Sequence, residues 1–255
     1  MDDPHQRAVE LIASASRALV ITGAGISTDS GIPDYRGPEG TWTLNPDAEM
    51  KSTFDTWVND GDFRRAAWQR RLESQHQRPL PNRGHDALVR WALTGTLNTL
   101  VTQNIDGLHS ASGFPEERLI EIHGCLRDCV CLACGWRAPI EIPLEWVRAG
   151  EEDPHCRQIV AGAACGGLLK SATISFGQSL RRDDLVRAQD AAQRCDLLVA
   201  IGSTLSVFPV AGIVPLAARH APVIIINGGP TAMDEVASVI VRDDISFTLS
   251  AWWPR

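Results

Sequence analysis

Short, almost wholly apolar runs alternate along the chain with stretches in which apolar residues recur every three or four positions. The short runs are typical of strands whose two faces are both covered, and the longer stretches are typical of amphipathic helices. The predicted strands are residues 18–22, 97–102, 119–122, 197–201 and 223–226, and the predicted helices are 5–16, 86–93, 183–193 and 210–219. Strands that alternate with helices predict an α/β fold with a doubly wound, Rossmann-like parallel sheet.

Two long stretches interrupt this alternation. Residues 38–83 are rich in Trp, Arg and Pro and are predicted to be helical or irregular, whereas residues 124–170 hold six of the seven cysteines. Both stretches are too long for simple connections between a strand and a helix. We therefore expect them to pack together as a smaller lobe, while residues 1–37, 84–123 and 171–255 form the Rossmann-like domain.

Composition and charge mainly exclude classes of partner and location. Hydrophobic residues make up 44% and charged residues 22% of the 255 residues, and the net charge of −7 gives no reason to expect a nucleic-acid partner. No apolar run reaches the roughly 20 residues of a membrane-spanning helix, and Met1-Asp2-Asp3-Pro4 lacks the layout of a signal peptide. We expect a cytoplasmic protein without a membrane partner, and the sequence leaves the oligomeric state open.

The first predicted strand ends at a glycine-containing turn, Gly23-Ala24-Gly25. Glycines at this place allow a tight turn and a close approach of the backbone to a pyrophosphate at the start of a helix. A full dinucleotide fingerprint would have a third glycine at position 28, where this chain has Thr28, and an acidic residue about 20 residues further on. The missing parts argue against a hydride-transferring dehydrogenase.

A long loop, residues 27–37, continues from this turn and could fold over a bound ligand. Asp34 and Arg36 of this loop could form an ordinary surface ion pair. Their position beside a phosphate-binding turn favours a role in ligand binding.

Residues 23–37 resemble the sirtuin signature GAGxSxxSGIPDFRG, with Tyr35 where most members have Phe. Further sirtuin motifs follow in the order of that family and extend the resemblance from Gly23 to Asn227. They are residues 102–109 (Thr-Gln-Asn-Ile-Asp-Gly-Leu-His), His123-Gly124, Cys131-x-x-Cys134, Cys165-Gly166-Gly167, Phe176-Gly177 and Gly202-Ser203-Thr204. The chain thus resembles a bacterial-type sirtuin, which implies an NAD⁺-dependent protein-lysine deacylase that releases nicotinamide and an O-acyl-ADP-ribose.

The resemblance also implies the residue roles. His123 is expected to act as general base on a ribose hydroxyl, with Asn104 and Asp106 as further catalytic residues that hold the ribose and the nicotinamide amide. These polar residues follow predicted strands, at the edge of an open α/β sheet where ligands bind. The expected NAD⁺-binding residues are Gly23, Ala24, Gly25, Ser27, Asp34, Tyr35, Arg36, Gln103, Asn104, Ile105, Asp106, Gly202, Ser203, Thr204, Asn227 and Gly228. The acylated lysine of a protein or peptide is expected to contact Ile174, Phe176 and Gly177.

Four cysteines form a candidate structural zinc site. Cys131 and Cys134 have the spacing of a zinc knuckle, and Cys165 is a good match for the second half. Its upstream partner, Cys156, lies nine residues away instead of three, so a longer loop must close the site. His155, Cys125 and Cys129 are less favoured ligands. A site without zinc remains an alternative.

The acyl group is left undecided by the sequence. Gln178 stands where a Glu is common, and Lys170-Ser171 replaces a usual Arg-Pro. Sirtuins that prefer acidic acyl chains carry a Tyr-x-x-Arg pair in the helical insert, and residues 68–71 (Trp-Gln-Arg-Arg) are the nearest equivalent here. The same departures, together with Tyr35, leave mono-ADP-ribosyl transfer to protein or NAD⁺ hydrolysis as the alternative function.

Overall fold

The computed structural model describes residues 3–75, 77 and 79–253. Its larger part is a six-stranded parallel sheet in the order β3-β2-β1-β9-β10-β11, which is the doubly wound order predicted from the sequence pattern. The strands are β1 (Ala18–Thr22), β2 (Leu97–Thr102), β3 (Leu119–Glu121), β9 (Leu197–Ile201), β10 (Val223–Ile226) and β11 (Val239–Val241). The direction of strand addition reverses between β1 and β9, so loops after these two strands border a crevice.

Helices cover both faces of the sheet because neighbouring residues of each strand point to opposite sides. On one face, Val20 packs in a buried cluster with residues of α1 (Pro4–Ser14), α6 (Arg83–Leu93) and α11 (Ile245–Trp252). On the other face, Leu19 and Ile21 pack with residues of α9 (Arg182–Arg194) and α10 (Ile213–Ala217). The fully buried strands predicted from apolar runs are confirmed by these two clusters.

The two interrupting stretches share a third buried cluster. The first contains α2 (Thr41–Leu44), α3 (Pro46–Lys51), α4 (Phe54–Asn59) and α5 (Gly61–Ser74). The second contains β4 (Gly124–Cys131), β5 (Arg137–Pro139), α8 (Glu141–Arg148) and a hairpin of β6 (Ile159–Val160) and β7 (Ala163–Ala164). Trp68 of α5 packs with Leu144 and Val147 of α8 in this cluster.

A strand of the small lobe crosses the expected boundary at position 170. β8 (Leu169–Thr173) pairs antiparallel with β4, and β4 also pairs with β5, in a three-stranded sheet. The chain leaves the large sheet at His123 and returns to it at Ile174, and the Ile174 N–H donates to the His123 carbonyl at 2.8 Å. Two crossings between the lobes therefore lie side by side.

Some elements differ from the sequence pattern. The helix predicted for 210–219 is divided into a 3₁₀ segment, Val210–Gly212, and the short α10. The short α7 (Leu108–Ala111), the strand β11 and the antiparallel sheet were not predicted from apolar runs. Within the described part of the chain, no helix has the length and apolar character needed to cross a membrane.

Candidate active site

A cavity of about 1540 Å³ lies at the carboxyl ends of the central strands and extends between the two lobes. It is lined by nearly all of the predicted binding residues, which come from seven separate segments of the chain. These are Gly23, Ala24, Gly25, Asp34, Tyr35, Arg36, Gln103, Asn104, Ile105, His123, Ile174, Phe176, Gly177, Gly202, Ser203, Thr204, Asn227 and Gly228. Two predicted residues, Ser27 and Asp106, are absent from this lining.

The glycine turn is built against the loop that follows β9. The Gly25 N–H donates to the Gly202 carbonyl at 2.9 Å. A Cβ on Gly23 would lie 2.7 Å from the Gly202 oxygen, and one on Gly25 would lie 2.7 Å from the Gly202 Cα. Gly202 itself has a φ of +62°, which side chains disfavour. These glycines are thus required by the contact between two loops at the crevice, a constraint that the sequence pattern did not reveal.

Behind the glycine turn, three polar side chains form one hydrogen-bonded group. The Asn104 amide donates to the Gly23 carbonyl and to Ser27 Oγ, both at 3.1 Å. Ser27 Oγ in turn donates to Asp106 Oδ2 at 2.8 Å. Ser27 is fully buried, and its hydroxyl joins Asn104, which lines the cavity, to Asp106, which does not. Asp106 is further fixed by the N–H of Leu108, at 2.9 Å.

His123 lies at the boundary between the lobes, and its Nδ1 is 3.0 Å from the Gln103 carbonyl oxygen. Because a carbonyl only accepts, Nδ1 carries the proton, and Nε2 keeps a lone pair. Burial lowers the pKa of His123, and the bond to Gln103 acts more weakly in the opposite direction. A neutral imidazole with a free Nε2 is the form that a general base requires.

The loop after the glycine turn is held by its own contacts. Asp34 accepts the Gly37 N–H at 2.8 Å and so closes a turn. Arg36 pairs with Glu49 at 2.9 Å and stacks on Trp42, with 4.5 Å between the guanidinium carbon and the ring centroid. Burial, followed by the charge of Asp106, raises the pKa of the Tyr35 phenol. Asp34 and Arg36 do not form the simple ion pair that was the alternative.

At the far end of the cavity, polar groups follow β9, β10 and β11. Gln103 donates to Ser203 Oγ at 2.9 Å and so joins the loops after β2 and β9. The Asn227 side-chain amide donates to the Gly229 carbonyl at 2.8 Å, and the Asn227 backbone carbonyl accepts from Arg242 at 2.9 Å. Arg242 also lines the cavity and was missed, because its strand was too short to be recognised from the sequence.

A model of the Sir2 family matches residues 23–209 of this chain. The matched range is well over half of the 255 residues and runs from the glycine turn through both interrupting stretches to the loop after β9. The chain belongs to the Sir2 family, the sirtuins. The resemblance read from the sequence motifs is confirmed.

Relatives of this Sir2-family chain share most of its length. It is 40% identical over 233 residues to "NAD-dependent protein deacetylase 2" of Streptomyces coelicolor, covering 91% of this chain and 94% of the relative. It is 43% identical over 244 residues to "NAD-dependent protein deacetylase" of Rhodopseudomonas palustris, covering 94% and 92%. Both relatives are bacterial, as the motifs predicted. A solved Sir2 structure with a deacetylated p53 peptide and 3′-O-acetyl ADP-ribose superposes with a TM-score of 0.83 at 26% identity, covering 96% of this chain and 97% of that one.

The cleft between the lobes of this sirtuin exposes apolar side chains on both of its walls. Phe176 is 37% exposed and contacts Trp42, with 5.5 Å between the ring centroids. Phe208, in the loop after β9, is 68% exposed and lines the same cavity. Sequence analysis missed Phe208, although an aromatic residue in a loop after a central strand was an available signal. The two rings suit an extended segment placed between the lobes.

Trp68 and Arg71, the nearest equivalents of the Tyr-x-x-Arg pair that binds acidic acyl chains, are engaged in contacts within the protein. Trp68 is 1% exposed and meets Trp57 edge to face, so it belongs to the core of the small lobe. Arg71 donates to the Leu126 carbonyl at 2.6 Å, and burial lowers its pKa. Neither residue lines the cavity. Lys170 does line it, but its ammonium donates to the Thr173 carbonyl at 2.6 Å and to the Thr173 hydroxyl at 3.1 Å.

The four predicted cysteine ligands converge, with their sulfur atoms all within 4.8 Å of one another. Two of the sulfur pairs, Cys131 with Cys165 and Cys134 with Cys156, are 3.7 Å apart. Zinc–sulfur bonds of about 2.3 Å in a tetrahedron place the sulfurs about 3.8 Å apart, so this set fits zinc. Four protein ligands leave no open position, so the metal would be structural.

The long spacing before Cys165 is explained by the hairpin of β6 and β7, which lies between Cys156 and Cys165. A Cβ on Gly167 would lie 2.7 Å from the Cys131 sulfur, so the small residue lets the two halves of the site approach. The less favoured ligands lie outside the cluster, and His155 Nδ1 instead meets the Asp153 carbonyl at 2.9 Å.

Proposed function

We propose that this sirtuin is an NAD⁺-dependent protein-lysine deacetylase that releases nicotinamide and O-acetyl-ADP-ribose. The observation that carries the proposal is His123, whose Nδ1 is occupied by the Gln103 carbonyl and whose Nε2 is left free as a base beside the cavity. The deacetylase names of both relatives and the deacetylated peptide in the related structure support the same activity.

NAD⁺, as co-substrate, supplies a ribose carbon that carries nicotinamide as its leaving group. Asn104 and Asp106, held together by Ser27, are proposed to orient that ribose and the nicotinamide amide at the crevice. Positive charge develops on the sugar as nicotinamide leaves, and fixed polar groups in a site closed to water stabilise it best. His123 Nε2 then accepts a proton from a ribose hydroxyl, so that this oxygen can attack the acyl carbon.

The remainder of NAD⁺ is assigned to the loops at the strand ends. The phosphates are proposed to lie against Gly23, Ala24, Gly25 and Arg36. The glycines carry no side chain, so the phosphates can come close to the backbone there. A second set, placed to hold the adenosine half, consists of Gly202, Ser203, Thr204, Asn227, Gly228 and Arg242. Residues 1–37, 84–123 and 171–255 would thus act as the NAD⁺-binding domain.

The acylated lysine is proposed to enter between the lobes, along Ile174, Phe176 and Gly177. An acetyl group is favoured over an acidic acyl chain because Arg71 is already bonded to a backbone carbonyl and Trp68 is packed in a core. The alternative of protein ADP-ribosyl transfer or NAD⁺ hydrolysis has no support from the relatives, both of which are named deacetylases. A cytoplasmic location stays a prediction from the sequence.

The deciding experiment incubates the protein with NAD⁺ and a panel of acetyl-, succinyl- and long-acyl-lysine peptides and identifies all products by mass spectrometry. We expect deacetylated peptide together with O-acetyl-ADP-ribose. Release of nicotinamide without a deacylated peptide would contradict the proposal and favour the alternative.

His123→Ala tests the base directly. We expect this variant to lose acyl-lysine turnover while NAD⁺ binding stays measurable by calorimetry. The exposed His220, changed to Ala, is the matched control and should keep full turnover. Retained turnover in His123→Ala would remove His123 from the mechanism.

A further inference from the structure

Two buried histidines lie beneath the floor of the cavity and have no part in the chemistry described above. His85, on α6, is fully buried, and His109, on α7, is 2% exposed. Their ring centroids are 4.9 Å apart. Neither residue lines the cavity.

The neighbours of each ring determine where its proton lies. The backbone N–H of Asn82 points to His85 Nδ1 at 3.3 Å, so Nδ1 accepts and Nε2 carries the proton. The Thr22 hydroxyl donates to Thr102 Oγ1 at 2.9 Å, so Thr22 Oγ1 must accept from His109 Nε2, which is also 2.9 Å away. His109 therefore carries a proton on Nε2, and in the neutral ring Nδ1 keeps a lone pair.

The two remaining nitrogens are complementary. His85 Nε2 is a donor and His109 Nδ1 is an acceptor, and both are buried without a hydrogen-bond partner among the described residues. Burial lowers the pKa of His85 to about 4 and that of His109 well below its usual value, which keeps both rings neutral. A charged His109 would turn its acceptor into a second donor and break this match.

A line of hydrogen bonds leads from His109 to the reaction site. Thr22 and Thr102 are paired at the carboxyl ends of β1 and β2. Thr102 Oγ1, which receives the Thr22 hydroxyl, also accepts the backbone N–H of Asn104 at 3.1 Å. The Asn104 side chain is held independently by Gly23 and Ser27. His109 thus fixes the hydroxyl pair that anchors the backbone of Asn104.

We propose that His109 is a positioning residue, which orients Asn104 through the Thr22–Thr102 hydroxyl pair. The proposal rests on the deacetylase function proposed above, in which Asn104 orients the reacting end of NAD⁺. It assigns to the buried pair a fixed direction of hydrogen bonding and no proton transfer to substrate.

Substitutions at His109 separate this role from simple packing. His109→Leu removes the donor to Thr22 and should lower kcat for deacetylation by about tenfold or more, with a smaller change in KM for NAD⁺. His109→Gln can place an amide N–H near the position of Nε2 and should recover most of kcat. His220→Gln is the surface control. Equal losses in His109→Leu and His109→Gln would overturn the proposal.

Thr22→Val breaks the same line at its next member. The double variant His109→Leu with Thr22→Val should lose no more activity than either single variant, because both changes remove one interaction. Multiplicative losses in kcat would overturn the proposal. Circular dichroism and thermal unfolding of each variant separate loss of fold from loss of positioning.

Nitrogen-15 NMR of histidine-labelled protein tests the tautomers without any assay of activity. His85 and His109 should both appear as neutral rings protonated on Nε2 at pH 6.5 and above, since burial lowers both pKa values below that of an ordinary histidine. A His109 ring that is charged or protonated on Nδ1 would overturn the proposal. If no peptide is deacylated, the proposed function fails, whereas the NMR result still decides the arrangement of the pair.

Discussion

Gly124 lies where the two lobes meet, directly after His123, and a side chain at this position should harm both stability and activity. Its φ is +72°, a conformation that L-residues disfavour. A Cβ built on Gly124 would collide with the carbonyl oxygen of Ala172 and lie 3.0 Å from the carbonyl carbon. The obstacle is backbone of β8, which cannot move aside as a flexible side chain could.

Gly124→Ala therefore carries two costs. The left-handed backbone costs about 1–2 kcal/mol, and forcing β4 away from β8 costs about 1–3 kcal/mol more. Gly113→Ala is a matched control, because Gly113 has a φ of +85° and nothing within 4 Å of its Cβ position. We expect the free energy of unfolding in urea to fall by about 2–5 kcal/mol for Gly124→Ala and by about 1–2 kcal/mol for Gly113→Ala.

The activity of the two variants should also differ. The His123 carbonyl accepts from Ile174, so a displaced β8 moves the segment that holds the base. Folded Gly124→Ala should have a reduced kcat for acetyl-lysine, whereas Gly113→Ala should keep the kcat of the wild type. Equal losses of unfolding free energy in the two variants would refute the argument, because they would show that the contact with Ala172 costs nothing.

Two other results are expected. Metal analysis should find about one zinc per chain, and Cys134→Ser should lower both zinc content and thermal stability; a zinc-free protein of unchanged stability would contradict the four-cysteine assignment. The rate of deacetylation should fall in acid only as pH drops through the folded-state pKa of His123, which burial holds below its ordinary value of 6.5, since the neutral ring is the active form. If kcat/KM fell in acid with a midpoint above pH 6.5, the assignment of a lowered pKa to His123 as the base would be refuted.

Much of the large sheet could be predicted because its strands are nearly pure apolar runs with covered faces. β11 was missed because it has only three residues, and Arg242 was missed with it. β4 was missed because Arg127, Asp128 and its cysteines hide the strand pattern, and its ladder with β8 is irregular between Gly124 and Cys129. Local sequence carries little information about such pairings.

In the candidate site, too, some features could be predicted from the sequence and others could not. His123 could be predicted because motifs and strand ends are local features. The close approach of Gly25 to Gly202 and the position of Ser27 behind Asn104 depend on contacts between segments that are distant in the chain. The zinc ligands fall between these cases. Cys131 and Cys134 share a local motif, whereas Cys156 was chosen from the sequence despite its unusual spacing, and the fold brings it to the other three sulfurs.

The side-by-side crossings at His123 and Ile174 have a mechanical consequence. When one body rotates about a hinge, points far from the hinge travel furthest and points at the hinge hardly travel. Rotation of the small lobe about these crossings would change the gap between Phe63, which lines the cavity from the small lobe, and Phe208, while leaving His123 almost stationary. Such a rotation would widen or narrow the cleft without displacing the base.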